Sequence, residues 1–469
     1  MTETSKPKFG WRIMRRILIG LAILATLIAF FYTEEDWRGK HAWENCKSEL
    51  EAQGLVLDWR QFTPPPVPDN QNIFKAPHMQ EWFVRNPKAT NNELNMLITN
   101  AVKIATITDK TTAVNFLAWS DQFQPDFDLM REALKRPDAR MDGDYTVPYE
   151  IPIVSFVNIR AVAQVLAQRA KCDLLLGQPD KALAELTLLN DSRRLMERAP
   201  TGKPITLVDA MVNVAVTGLY AQTIAKGFPN HTWQEPQLAT LQKQLEQINL
   251  PAIVVQSFES EPAATARTLE TVRPARLAEW FGLHPRYWQW QLWPLVKFTW
   301  LPRGWIYQNM ATSARLVFTQ TEVFDSKNDL IESKKNVNVA HEFDGVATPY
   351  KFIAVEAVPN FTKAWQVTAC NQTMVNEAQI ACALECYRLA HGEYPETLDA
   401  IVPQFIETIP HDIIGGQPLH YRRTNDGKFL LYSVGWNEID DGGEESPHTE
   451  YGSVTDYTKG DWVWPATAR

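Results

Sequence analysis

Oxygen-bearing side chains crowd one short stretch, "YSVGWNEIDDGGEE", residues 432–445, which holds five acids and two adjacent glycines. Calcium takes roughly six to eight oxygen ligands from carboxylates, carbonyls and water. Asn437, Asp440, Asp441 and the more distant Asp456 carry side-chain oxygens of that kind. The Gly442–Gly443 pair lets backbone carbonyls turn inward. Charge pattern alone leaves two readings open, a calcium site and a solvated acidic loop, because acidic runs normally face water.

A second set of acids lies in "FESEPAATARTLE", residues 258–270, with Glu259, Glu261 and Glu270. Paired carboxylates can do acid–base work; the alternative is a polar helix face, where such charges are usually solvated. No G-x-S-x-G, H-E-x-x-H or P-loop string occurs, and "HEFDG" lacks the second histidine of a zinc protease. The five cysteines include no CxxC pair. Cys382 and Cys386, four apart on a helix, would have Cβ atoms about 5–6 Å apart, beyond the ~3.5–4.5 Å of a relaxed disulfide. A pairing of Cys370 with Cys46 or Cys172 stays open. Net charge is −9 and the pI about 5.6, which argues against a nucleic-acid partner, since that calls for a basic face. No reaction is legible in these residues.

The elements that would carry these groups begin with a membrane segment. Residues 17–32, "ILIGLAILATLIAFFY", contain no charge. Ile17, Leu18, Leu21, Ile23, Leu24, Leu27, Ile28, Phe30 and Phe31 form its greasy surface. Lys6, Lys8, Arg12, Arg15 and Arg16 precede it, and Glu34, Glu35 and Asp36 follow. The basic flank should stay in the cytoplasm, which places the bulk of the chain on the periplasmic, extracytoplasmic side of the cell (inner) membrane. The rival is a cleaved signal peptide, but bulky Phe30, Phe31 and Tyr32 stand where a cleavage site wants small residues. A single-pass anchor is expected, continuing as a helical stalk to Gln53 and stopped by Gly54. "LVLDW", residues 55–59, reads as extended, and "FTPPPVPDNQN", residues 62–72, as a polyproline-like connector.

With 469 residues, the chain has length for about three domains. From residue 76 to 362 it reads as helical. Ile153 to Leu176 forms one long helix stopped by Gly177, and Pro179 opens the next. Ile205 to Ala225 is apolar almost all round, yet Asp209, Asn213 and Gln222 interrupt it, which suits a buried helix better than a second span. Pro251, Pro262 and Pro274 should cut the following region into shorter helices. Residues 279–309 hold Trp280, Trp288, Trp290, Trp293, Trp300 and Trp305. Tryptophan favours membrane–water interfaces, because its ring is apolar and its N–H wants water. These residues therefore read either as a second, interfacial contact with lipid or as packing between helices.

From residue 363 the pattern changes. Val367, Cys370, Met374, Ala378, Ala381 and Leu384 recur at three and four, a helical stripe ended by Gly392. A short helix over 396–401 follows. Leu419–Arg423 and Lys428–Val434 read as strands around an Asp426–Gly427 turn, and "GDWVWP" as a third strand. The ordered set "YRLAHGEYPETLDAIVP", "IPHDIIGGQPLHYR", "DGKFLLYSVG" and an acidic glycine loop resembles the C-terminal half of the major pseudopilin of type II secretion. The resemblance covers roughly the last hundred residues, a domain-sized piece. It implies a long helix packed on a small antiparallel sheet, with calcium in the loop after the "YSxG" strand and backbone carbonyls of Ser433 or Val434 among its ligands. The chain departs from that pattern where about three hundred residues separate anchor and module, and where Asn437 and Glu438 replace the usual Asp and Gly.

The fold expected is mainly α: residues 1–53 as basic tail, transmembrane helix and stalk, 54–75 as connector, 76–362 as a multi-helix body, and 363–469 as a small α+β module. The function expected is that of a non-enzymatic envelope or secretion-related interaction protein with an unidentified protein partner besides the lipid bilayer. The alternatives are an extracytoplasmic hydrolase using carboxylates and a peripheral lipid-contacting protein using Trp288, Trp290, Trp293, Trp300 and Trp305.

Overall fold

The computed structural model describes residues 8–84, 107, 109–197, 206–271, 301–343, 348–445 and 456–465. Its first element is a single helix, α1, Lys8–Ala52. At about 1.5 Å per residue its 45 residues extend about 67 Å. The helix changes character once along its length. Trp11, Ile17, Leu18, Leu21, Leu24, Leu27, Phe30 and Phe31 are all exposed. The first buried side chain is Glu35, and Gly39, Trp43, Cys46 and Leu50 follow on the same face. Their spacing of three and four residues is a helical stripe, so the second half of α1 has a packing partner and the first half does not.

Gly54, at φ +92, ends α1. Residues 55–58 form no strand; Asp58 caps a 3-10 turn, Trp59–Phe62, by accepting from the Arg60 N–H. The expected extended segment thus pairs with no other strand and ends at Asp58, whose backbone is extended, with Trp59 already in the turn. The proline-rich connector runs on without α-helix to a second turn, Ile73–Lys75. Helices α2 (Met79–Phe83), α3 (Lys110–Ser120) and α4 (Gln124–Ala133) come next. They pack on α5 (Phe156–Leu175) and α6 (Pro179–Arg193). Arg169 of α5 is buried and holds this corner together: it donates to Glu185 Oε1 at 2.9 Å, Ser120 Oγ at 2.7 Å and Asp121 Oδ1 at 2.9 Å. A buried guanidinium is tolerable only with such a full set of acceptors.

Helix α7, Leu207–Ala225, starts at an N-cap Thr206 whose Oγ1 accepts from the Asp209 N–H. Among the described residues, α1 and α7 are the two helices long and apolar enough to cross a membrane, and α7 is mostly buried inside the body. It packs between α5, α6 and α12, as its interrupting polar residues imply. Helices α8 (Glu235–Glu246) and α9 (Leu250–Thr271) follow. Helix α9 runs unbroken through Pro262, which corrects the expectation of a break at that proline; Pro274 lies outside the described residues. Proline removes one ladder hydrogen bond, at a cost of about 3 kcal/mol. The flanking Phe258, Ala263 and Ala266 are buried, and fully burying one large apolar side chain such as Phe258 already returns about 1.5–3 kcal/mol. Pro251 lies in the first turn, where no N–H is needed.

Helix α10, Arg303–Thr321, lies along the second half of α1. A two-residue ribbon, β1 (Phe324–Asp325) with β2 (Leu330–Ile331), leads to α11, Ser333–Phe343. Helix α12, Phe352–His391, is 40 residues long and ends at Gly392, φ +88. The boundary expected at residue 363 falls inside it. Its contacts with α7, α8, α9 and α10 make it the central helix of the body. The final sheet has the order β3–β4–β5, antiparallel, from His420–Arg423, Phe429–Ser433 and Trp462–Trp464. Residues 398–401 form a 3-10 turn. Leu431, Trp462 and Trp464 share one core cluster with Leu166, Tyr220 and Trp365, so sheet and body are packed as one. His231, after α7, reaches buried Glu385 of α12 at 2.9 Å, and Glu385 also accepts from Tyr394 at 2.6 Å and Arg388 at 2.7 Å. None of the five cysteines is in a disulfide, so Cys370 pairs with neither Cys46 nor Cys172.

Candidate functional site: the anchor junction and the acidic loop

Where α1 becomes buried, two acids meet the start of α10. Asp36 Oδ1 accepts from the Gly304 N–H at 2.7 Å, capping α10 from another helix. Glu35 accepts from Trp305 Nε1 at 2.9 Å and from Arg38 at 3.0 Å, with the Tyr350 hydroxyl 3.5 Å away. The positive end of a helix and an indole N–H are both favourable partners for carboxylate. The approach depends on glycine on both sides. A Cβ on Gly39 would overlap the Gly304 backbone, and one on Gly304 would overlap the Glu35 carbonyl. Further along, Cys46 donates to the Ala311 carbonyl at 3.5 Å and Arg315 pairs with Glu49 at 2.9 Å. Contacts advance together along both helices, so α1 and α10 run parallel. On the side facing the apolar half of α1, the Trp305 ring meets Phe31 edge-on at 6.3 Å.

Of the predicted interfacial residues, Trp305 is thus placed at the foot of the junction. Trp288, Trp290, Trp293 and Trp300 lie outside the described residues. The apolar anchor residues from Ile17 to Phe31 all lie on the exposed half of α1.

At the opposite end, the acidic loop follows β4. Asn437 Oδ1 accepts from the Ile439 N–H at 3.3 Å. Asp440 Oδ1 accepts from the Gly442 N–H at 2.9 Å and the Tyr432 hydroxyl at 3.0 Å. These bonds hold the Asp440 carboxyl below its ordinary range. Asp456 accepts from the Thr458 N–H at 3.1 Å and hydroxyl at 2.5 Å. Each of the three folds its own turn, as short polar side chains do. Among the described residues, no group of three or more His, Cys, Asp or Glu is arranged to hold a metal ion. Asp440, Asp441 and Asp456 therefore do not form one constellation.

Two further carboxylates organise the loop, and sequence reasoning missed both. Asp461 is buried and accepts from the Asp441 N–H at 3.3 Å and the Gly443 N–H at 2.7 Å. Asp412 is buried and accepts from the N–H groups of Ile414 at 3.0 Å and Val434 at 3.2 Å. Burial pushes both carboxyls up, against those donors. The available signal was context: Asp461 precedes an apolar strand, "WVW", and Asp412 sits in "IPHDIIGG". Glu438 has φ +57, a left-handed conformation that glycine takes freely and other residues take at a cost of about 1–2 kcal/mol. Its carboxylate is held by Ser333 Oγ at 2.6 Å and by Lys334, both at the start of α11. Glu438 therefore ties the loop to the body.

The acids of α9 separate. Glu261 lines an apolar groove between α5, α7 and α12, Glu259 lines a depression beside Phe62 and Phe318, and Glu270 lines another beside Trp43 and Trp59. Glu261 accepts from the Leu207 N–H at 3.0 Å, and burial raises its carboxyl against that bond. The chain matches no protein-family profile, no curated protein and no solved structure.

Proposed function

We propose that this chain is a single-pass membrane protein with a cytoplasmic N-terminus and an extracytoplasmic, periplasmic bulk. It acts as a non-enzymatic interaction or assembly protein of the cell envelope, related to secretion through its pseudopilin-like C-terminal region. One observation carries the reading: α1 passes without a break from an exposed apolar surface to a buried polar junction. From Trp11 to Tyr32 the helix covers about 33 Å, close to the ~30 Å hydrocarbon core of a bilayer. Glu35, Asp36 and Gly39 then lock it to α10, so the anchor is a rigid extension of the body.

Separation of Glu259, Glu261 and Glu270 over three surfaces gives the hydrolase alternative little support. Lipid contact is favoured as a second reading by Trp305, which stands against Phe31 at the end of the apolar segment with its N–H bound. Calcium binding by Asn437, Asp440, Asp441 and Asp456 belongs to the pseudopilin resemblance. It requires these side chains to leave their separate turns and converge. A ligand that binds only the folded chain raises its stability, so a higher melting temperature with calcium supports the site and an unchanged one removes it. For topology, protease is added to sealed spheroplasts. Digestion of the body with protection of the first residues supports the orientation, and full protection of the body opposes it.

A further inference from the structure

Outside α1, the described residues expose few large apolar side chains, and two of them, Phe156 and Val208, lie together. They border the groove between α5, α7 and α12, about 830 Å³ in volume. Its walls are Met211, Val212 and Leu219 from α7 and Val367 from α12. Ligand sites are typically apolar clefts of about 300–1,000 Å³ with a few polar groups that orient the occupant, and this groove has that composition. Its polar members are Arg160, Gln164, Glu261 and Lys363.

The charges are not equivalent. Glu261 is turned to the N-terminus of α7, where the Leu207 N–H and the helix dipole answer it. Arg160 and Lys363 are exposed, and among the described residues no carboxylate pairs with either. An apolar trough with two exposed cations beside it is complementary to an anion carrying a hydrocarbon tail. A source is close. Tyr350 touches Glu35 at the foot of the anchor, and Lys363 lies eleven residues along α12 from Phe352, about 16 Å. The direction is away from the apolar half of α1, since Asn309 of α10 meets Ile353 and Leu316 clusters with Phe361.

We propose that this groove binds a single-chain anionic amphiphile, a long-chain fatty acid, with the tail along Met211, Val212, Leu219 and Val367 and the head at Arg160 and Lys363. The proposal rests on the membrane reading only for the source of the ligand, and the test supplies the ligand directly.

The full chain is placed in phosphatidylcholine nanodiscs and exposed to a photoactivatable fatty acid, its alcohol analogue and an alkyl-trimethylammonium analogue. Cross-linked peptides are mapped by mass spectrometry. The fatty acid is expected to label segments 156–167, 207–219 and 363–367, with the cationic analogue excluded. Val212→Trp, which fills the trough, should cut that labelling about tenfold, and Arg160→Gln with Lys363→Gln should cut it about tenfold for the acid but not the alcohol. Ala215→Leu serves as a second filling variant, with circular dichroism checking that each remains folded. Labelling confined to residues 11–32 overturns the groove while leaving the anchor intact. Equal labelling by the cationic analogue, or labelling untouched by Val212→Trp and Ala215→Leu in folded protein, also overturns it.

Discussion

The anchor junction and the acidic loop both present acids in a run, yet they use them in opposite ways. At the junction Asp36 and Glu35 reach Gly304 and Trp305, 268 and 270 residues away in sequence. In the loop Asn437, Asp440 and Asp456 each accept from a backbone N–H two residues onward, and Asp440 reaches besides only Tyr432 and His420 of the adjoining strands. Acids that turn their own backbone shape a surface. Acids that cap another helix join two parts of the molecule. Glu438 is the exception that makes the rule useful: its reach to Ser333 and Lys334 is what docks the loop on α11.

The comparison is broken most severely by removing the close approach. Gly39→Leu or Gly304→Val must push α1 from α10, because each added side chain overlaps backbone. A loss of about 3 kcal/mol or more is expected, at the upper end for overpacking, read as a large fall in melting temperature. Glu35→Ala leaves the Trp305 N–H without its acceptor and should cost about 1–3 kcal/mol. Denaturant unfolding of the detergent-solubilised chain measures it.

Another buried acid sharpens the contrast by pH. Glu377 of α12 is buried, and its Oε1 has no hydrogen-bond partner. Burial, with Asp412 adding to it, pushes its carboxyl well above the ordinary range. The folded state therefore favours the protonated acid. The stability it brings is full below the unfolded value, near 4.5, and is lost as pH rises from there toward the raised folded value. Glu377→Gln should raise the melting temperature at neutral pH and flatten its decline above pH 4.5. A variant less stable at neutral pH would assign Glu377 a partner in its charged form. In the loop, Asp461→Asn should cost about 1–2 kcal/mol, since a buried acceptor of two N–H groups is altered. The smallest effect is expected for Asn437→Ala, below about 0.5 kcal/mol for one local bond.

The same division explains what the sequence discloses. The apolar half of α1, the αα-hairpin of α5 and α6, and the three strands of the final sheet follow from local period and turn residues, and all are present. The start of α5 shifts because Val154 bridges to Val84 instead of joining the helix. Pro262 misleads because a local rule meets a buried environment that overrides it. The continuation of α12 back to Phe352 and the pairing of Glu35 with Trp305 depend on partners far along the chain, and no window of residues contains both. The acidic residues of the loop are conspicuous in sequence, while Asp412 and Asp461, single acids among apolar neighbours, do more to hold it.

The central claim is that α1 stays whole, its apolar half in the bilayer and its second half fixed to the body. Intact-mass measurement of the mature chain, after carbonate washing and detergent extraction of membranes, tests it most directly. The account predicts a chain that resists the wash and retains α1 from its start through Glu35. A mature chain that begins near residue 34 and is recovered without detergent would contradict it.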